Sequence, residues 1–213
     1  MKISQIPIHS LINRGFRYVI DTSIKYKIDE SHALKHSMEV FGLSKKMYDI
    51  EVVRHPYLEN QQDIIFMAAI GHDMCDKKYM DENEGIAVYT NYLSEYMDSD
   101  KVEIVGKIIA TMSYSKVKIK GFPELGNYQL AYNIVREADL LAAYDIDRCI
   151  MYSIYCQNIE YTEALKYAID LFHVRVFRMK KDKLFTIDYS KKLSTQLHKK
   201  AQKDVDCLQK LLD

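Results

Sequence analysis

The chain has 213 residues, enough to bury a core of its own and in keeping with a single domain. With 48% hydrophobic and 28% charged residues it is too apolar to be a disordered chain. Thirty Lys and Arg balance thirty Asp and Glu, so a general nucleic-acid-coating or membrane-surface role has no electrostatic basis, and no extended nucleic-acid partner is expected.

The opening residues, MKISQIPIHSLINRGF, show no apolar stretch followed by a small-residue cleavage site, which reads as a chain that is not exported. The longest apolar run, Ile64 to Ile70, is far short of the ~20 residues that span a bilayer. Cys75, Cys149, Cys156 and Cys207 include no CxxC pair, so they read as reduced thiols in a cytoplasmic protein.

Only seven Gly and three Pro interrupt the sequence, which favours long helices. Ser31 is expected to cap a helix reaching about Val53, with Val40, Leu43, Met47 and Ile50 on one face. A second helix is expected from about Gln61 to Met74. Others are expected over Glu82 to Met97, Asp100 to Ser113, Tyr128 to Cys156, Thr162 to Met179 and Ser190 to Leu212. Lys116 to Asn127, with Gly121, Pro123 and Gly126, reads as a long loop, and Lys183 to Tyr189 alternates like a short strand. The fold class is all-α: one helical bundle.

Ionisable residues interrupt three of the apolar rows. Stepping back four from Val40 reaches His36; Ile65, Ala68 and Ala69 lead on to His72 and Asp73; Tyr132, Val135, Ala143 and Ile146 share a face with Asp139. A buried carboxylate is costly unless it is paired or holds a metal. One such histidine is as well read as a hydrogen-bonded core residue, and Asp139 alone can pair with Arg136 or Arg148. Recurrence on three helices favours mutual compensation. Two His and two Asp form a mixed nitrogen and oxygen set, suited to Mn, Fe, Co, Ni, Zn or Mg.

These residues, in this order, resemble the H…HD…D signature of the HD-domain metal-dependent phosphohydrolases. Ser31-His32-Ala33-Leu34-Lys35-His36 is similar to that family's first segment, which has two histidines one turn apart. Ala68 through Lys78 is similar to the LLHDxxDxK segment of its small stand-alone branch, and Ile134 through Asp139 to the segment ending in the last ligand. The likeness covers roughly residues 28 to 212. It implies an all-α HD-type domain with His36, His72, Asp73 and Asp139 around one divalent ion. It also implies hydrolysis of a small phosphate ester or anhydride, with a nucleotide as the expected substrate. No histidine lies between His72 and His173, which favours one metal over two.

Asp76 is expected as general base or water-orienting carboxylate, Lys78 as a phosphate-binding cation, and His32 as a phosphate contact, proton donor or support for a ligand. Lys77, Tyr114, Lys116 and Arg136 are candidate substrate contacts, with Lys116, Lys118 and Lys120 on a basic rim; each also reads as an ordinary surface or structural residue. Glu39, Leu140 and Ala142 depart from the family's usual Arg, Arg and Asp. That motivates a second reading: a metal-retaining but catalytically silent nucleotide-binding or scaffold protein. A third is a plain helical interaction module.

Overall fold

Ile64 through Gly71 has no polar face, and a helix that is apolar all round has to be covered on every side. In a computed structural model describing residues 6–212, this run forms a helix in which all eight residues are buried. The described residues contain ten α-helices and no strand. They fall into two compact units, one ending at Ala138 and the other beginning at Asp139. No helix among them is long and apolar enough to cross a membrane. The expected domain span of 1–213 includes residues 1–5 and 213, which lie outside the described residues, as do the first five residues of the reading against export.

The first unit contains α1 (Ile8–Tyr26), α2 (Leu34–Arg54), α3 (Gln62–Gly71), α4 (Glu82–Leu93), α5 (Ser99–Thr111), α6 (Tyr114–Lys120) and most of α7 (Gln129–Ala142). Helix α3 is its axis, packed against α1, α2 and α5. Each large aliphatic side chain buried there contributes roughly 1.5–3 kcal/mol relative to exposure. The α1 helix has no counterpart among the elements expected from sequence. Its buried row is Leu11, Gly15, Val19 and Thr22, half of it not recognisably apolar. Gly15 lets α1 approach α3 closely, because a Cβ there would stand 3.2 Å from Ile70 and 3.3 Å from Met67.

Three other expectations are corrected. Helix α2 starts at Leu34 rather than beside Ser31, whose hydroxyl is 2.6 Å from His32 Nδ1 instead of capping the helix. Lys116–Asn127 is not one loop: its first residues form α6, which ends where Gly121 takes φ +76°. The expected helix 128–156 is two, α7 and α8 (Ile146–Tyr155), divided where the Asp145 carboxylate accepts a hydrogen bond from the Asp147 backbone N–H at 3.1 Å.

The second unit holds the end of α7, then α8, α9 (Tyr161–Val174) and α10 (Asp188–Gln209), with α9 packed on α8 and α10 on both. Leu184–Ile187 is irregular rather than a strand; Leu184, Phe185 and Ile187 are buried without any strand to pair with among the described residues.

The end of α3 is fixed by a close approach. A Cβ on Gly71 would stand 2.3 Å from two carbons of the Tyr89 ring, whose hydroxyl donates to the Met67 carbonyl at 2.8 Å. Gly71→Ala is therefore expected to destabilise the protein by about 2 kcal/mol or more through overpacking, lowering Tm by roughly 4–8 °C. Gly42→Ala, where a Cβ meets nothing within 4 Å, should leave stability equal or higher. Thermal and denaturant unfolding of the two variants checks the contrast.

Candidate metal centre

Helix α2 buries a row that includes His36, Val40, Ser44 and Met47, and His36 sits in its first turn. Helix α3 tightens after Gly71 into a short 3₁₀ turn, His72–Cys75, so His72 and Asp73 stand at the end of the most buried helix of the unit. The His72 ring is held by Nδ1, which donates to the Ala69 carbonyl at 2.9 Å. A carbonyl only accepts, so Nδ1 carries a proton, and when the ring is neutral, as a metal ligand is, the lone pair is at Nε2.

That Nε2 lies 3.1 Å from His36 Nε2. The Asp73 carboxylate spans the two rings, with Oδ2 3.2 Å from His36 Nε2 and Oδ1 3.3 Å from His72 Nε2. Asp139 supplies the third sequence-distant member: one donor atom each from His36, His72 and Asp139 lie within 4.8 Å of one another. The boundary between the two units falls inside α7, so Asp139 is carried on the same helix as Ala138, the last residue of the first unit.

These separations bear on whether the residues fit a divalent ion. Ligand atoms bonded to one ion at about 2.0–2.1 Å, and at ordinary tetrahedral or octahedral angles, lie about 2.8–3.4 Å apart. The pairs at 3.1, 3.2 and 3.3 Å fall inside that window. Burial by itself would raise the Asp73 carboxyl, but the charge that His72 carries when protonated, and then the contact and charge of His36, hold it well below the ordinary carboxylate range. It is thus in the form that a metal needs. The His36, His72 and Asp139 cluster can hold a metal ion, and Asp73 touches both of its imidazoles.

A second set of polar residues adjoins His36, with the His32 and His36 rings 6.5 Å apart. Lys78 Nζ donates to His32 Nε2 at 2.7 Å and lies 3.6 Å from Asp76 Oδ2, while Asp76 Oδ1 accepts from the Lys78 backbone N–H at 2.9 Å. An ammonium cannot accept, so His32 carries its proton on Nδ1 and donates it to Ser31 Oγ. Tyr79 closes the set: its hydroxyl donates to Asp29 Oδ2 at 2.5 Å and lies 3.2 Å from His32 Nδ1. Asp29 Oδ1 in turn accepts from the Ser31 backbone N–H at 2.9 Å.

The structure thus joins His32, Asp76 and Lys78, three residues singled out from sequence, and adds Asp29, Ser31 and Tyr79. No motif signals Asp29 or Tyr79; they stand in or beside two turns, at 30–32 and 77–79, that periodicity does not register. The remaining candidates are engaged differently. Lys77 is exposed, and Tyr114 opens α6 half-buried. Lys116 donates to Glu82 at 2.5 Å and to the Ala110 carbonyl at 2.6 Å. Arg136 is 1% exposed and donates through Nη2 to Glu137 at 3.1 Å.

No protein-family model, no curated protein and no solved structure matches this chain.

Cys75, between the candidate ligands and Asp76, is buried, and burial followed by the charges of Glu82 and Asp73 pushes its thiol up to about 12. It packs as a small apolar group. Iodoacetamide at mildly alkaline pH is expected to modify the exposed Cys156 and Cys207 in the native protein and to reach Cys75 only after unfolding. Peptide mass spectrometry of native and denatured samples reads this directly.

Proposed function

We propose that the protein is a metal-dependent phosphohydrolase acting on a small phosphate ester or anhydride, with a nucleotide as its substrate class. The observation that carries this reading is the cluster of His36, His72 and Asp139, with one donor atom each within 4.8 Å of one another, and Asp73 set against both imidazoles at 3.2 and 3.3 Å. The order of these residues, and the Asp76 to Lys78 segment behind them, support the same class of chemistry through the HD-domain resemblance.

In this reading His36, His72, Asp73 and Asp139 hold one divalent ion. Such an ion supplies Lewis-acid polarisation of a phosphoryl oxygen and a lowered pKa for a bound water. His72 is kept in the ligating tautomer by the Ala69 carbonyl. Lys78 provides a cation for a phosphate oxygen, and its bond to His32 Nε2 aims the ammonium. Asp76 accepts the proton of the attacking water and, through its contacts with the Lys78 backbone and side chain, fixes the spacing of base and cation. Asp29, Ser31 and Tyr79 act on the His32 ring and orient it.

Release of phosphate from a nucleotide panel, with Mn, Co, Ni, Fe, Zn and Mg supplied separately, tests the proposal. Turnover is expected with at least one metal and should be abolished by His72→Ala and by Asp73→Ala. Lys78→Ala should lower kcat/KM by about tenfold or more, the worth of a charged hydrogen bond. Folded protein that releases no phosphate with any metal, or full turnover in the His72 variant, would remove the proposed site.

One observation favours the silent reading. Leu140 and Ala142 are both buried, so positions where the family pattern carries charge are packed core here. Stoichiometric metal together with nucleotide-induced thermal stabilisation, but without turnover, would identify a binding protein instead.

A further inference from the structure

Arg136 is among the largest fully buried side chains of the protein, at 1% exposure. Buried arginines are ordinarily paired on several nitrogens, because an ion removed from water loses its hydration shell. Here only Nη2 is bonded, to Glu137 Oε1 at 3.1 Å, while Nε and Nη1 are buried without a hydrogen-bond partner. The guanidinium is bounded by aromatic rings instead. Its central carbon stands 4.6 Å from the centroid of Phe122 and 5.9 Å from that of Tyr132. Ring faces stabilise a cation but accept no strong hydrogen bond.

Phe122 is itself 44% exposed. It lies in the non-helical stretch 121–125, directly after Gly121, which takes the left-handed φ of +76° that ends α6. One face of the guanidinium thus lies against a half-exposed side chain from a non-helical stretch.

We propose that Arg136 anchors an oxyanion-binding seat roofed by Phe122, which takes a phosphate or carboxylate group of a small ligand. The chemistry follows from the donors: a planar cation with unused N–H groups, enclosed by apolar rings, selects oxygen anions and gains strength from the exclusion of water. Tyr132 supports the seat from the same helix, its hydroxyl donating to the Thr111 carbonyl at 3.4 Å. The seat needs no metal, so it stands or falls separately from the phosphohydrolase reading.

The test uses the full chain carrying His72→Ala, stripped of metal, so that an anion cannot report through the metal centre. The Arg136 Nε–Hε resonance is identified by its loss in Arg136→Lys and followed while inorganic phosphate, then acetate, replaces chloride at constant ionic strength. A saturable shift with phosphate, with acetate or with both is the expected result, and the comparison tells which oxyanion the seat prefers. Phe122→Ala should speed exchange of the anion and alter its affinity by about tenfold. An Arg136 resonance unmoved by either anion in the His72→Ala protein would overturn the proposal, whatever the variants at 136 and 122 do to folding.

Discussion

Two neutral imidazoles cannot both turn a lone pair toward each other at 3.1 Å without something positive between them or a proton shared along the line. That constraint organises the first unit. His72 has its proton committed to the Ala69 carbonyl, so its Nε2 only accepts; His36 faces it, and Asp73 lies against both as a carboxylate. Within an apolar interior such a group is costly unless it is compensated. Helices α1, α2 and α5 around α3 supply the wall that keeps water away, and the histidines meet at the place where α3 ends.

The polar residues beside this cluster form a graded arrangement. Nearest are the imidazoles and Asp73; next come His32 and Lys78; outside them Asp76, Tyr79 and Asp29 set orientations through bonds of 2.5 to 3.6 Å. Supporting bonds of this kind fix tautomer and direction. Lys78 is more exposed than His32, so the ammonium stands between the buried centre and solvent, where a small anion would arrive.

Much of this was legible in the sequence, and the limits have physical causes. The four proposed ligands interrupt apolar rows, and a charge on a buried row has to be explained whatever the fold; hence His36, His72, Asp73 and Asp139 stood out. Helix existence followed from scarce Gly and Pro. What escaped depended on turns. Ser31 looked like a helix cap because Ser commonly is one, yet its hydroxyl serves His32 and α2 starts later. Asp145 splits a long helical pattern by a single side-chain bond to its own backbone. α1 hid because Gly15 and Thr22 occupy half of its buried face. Lys116, which by its alternation with Lys118 and Lys120 reads as part of a basic rim, is tied to Glu82 across a long sequence separation, and no local pattern announces such a pair.

The meeting of Gly71 and Tyr89 also bears on how this chain can change. The residue preceding His72 is in van der Waals contact with an aromatic ring from α4, so the identity at position 71 depends on the bulk at position 89. A side chain added at 71 forces either that ring or the backbone that aims the imidazole to shift. Descendants of this sequence should therefore drift at the two positions in concert: any side chain gained at 71 would accompany a shortened one at 89, an evolutionary coupling imposed by ring thickness rather than by chemistry.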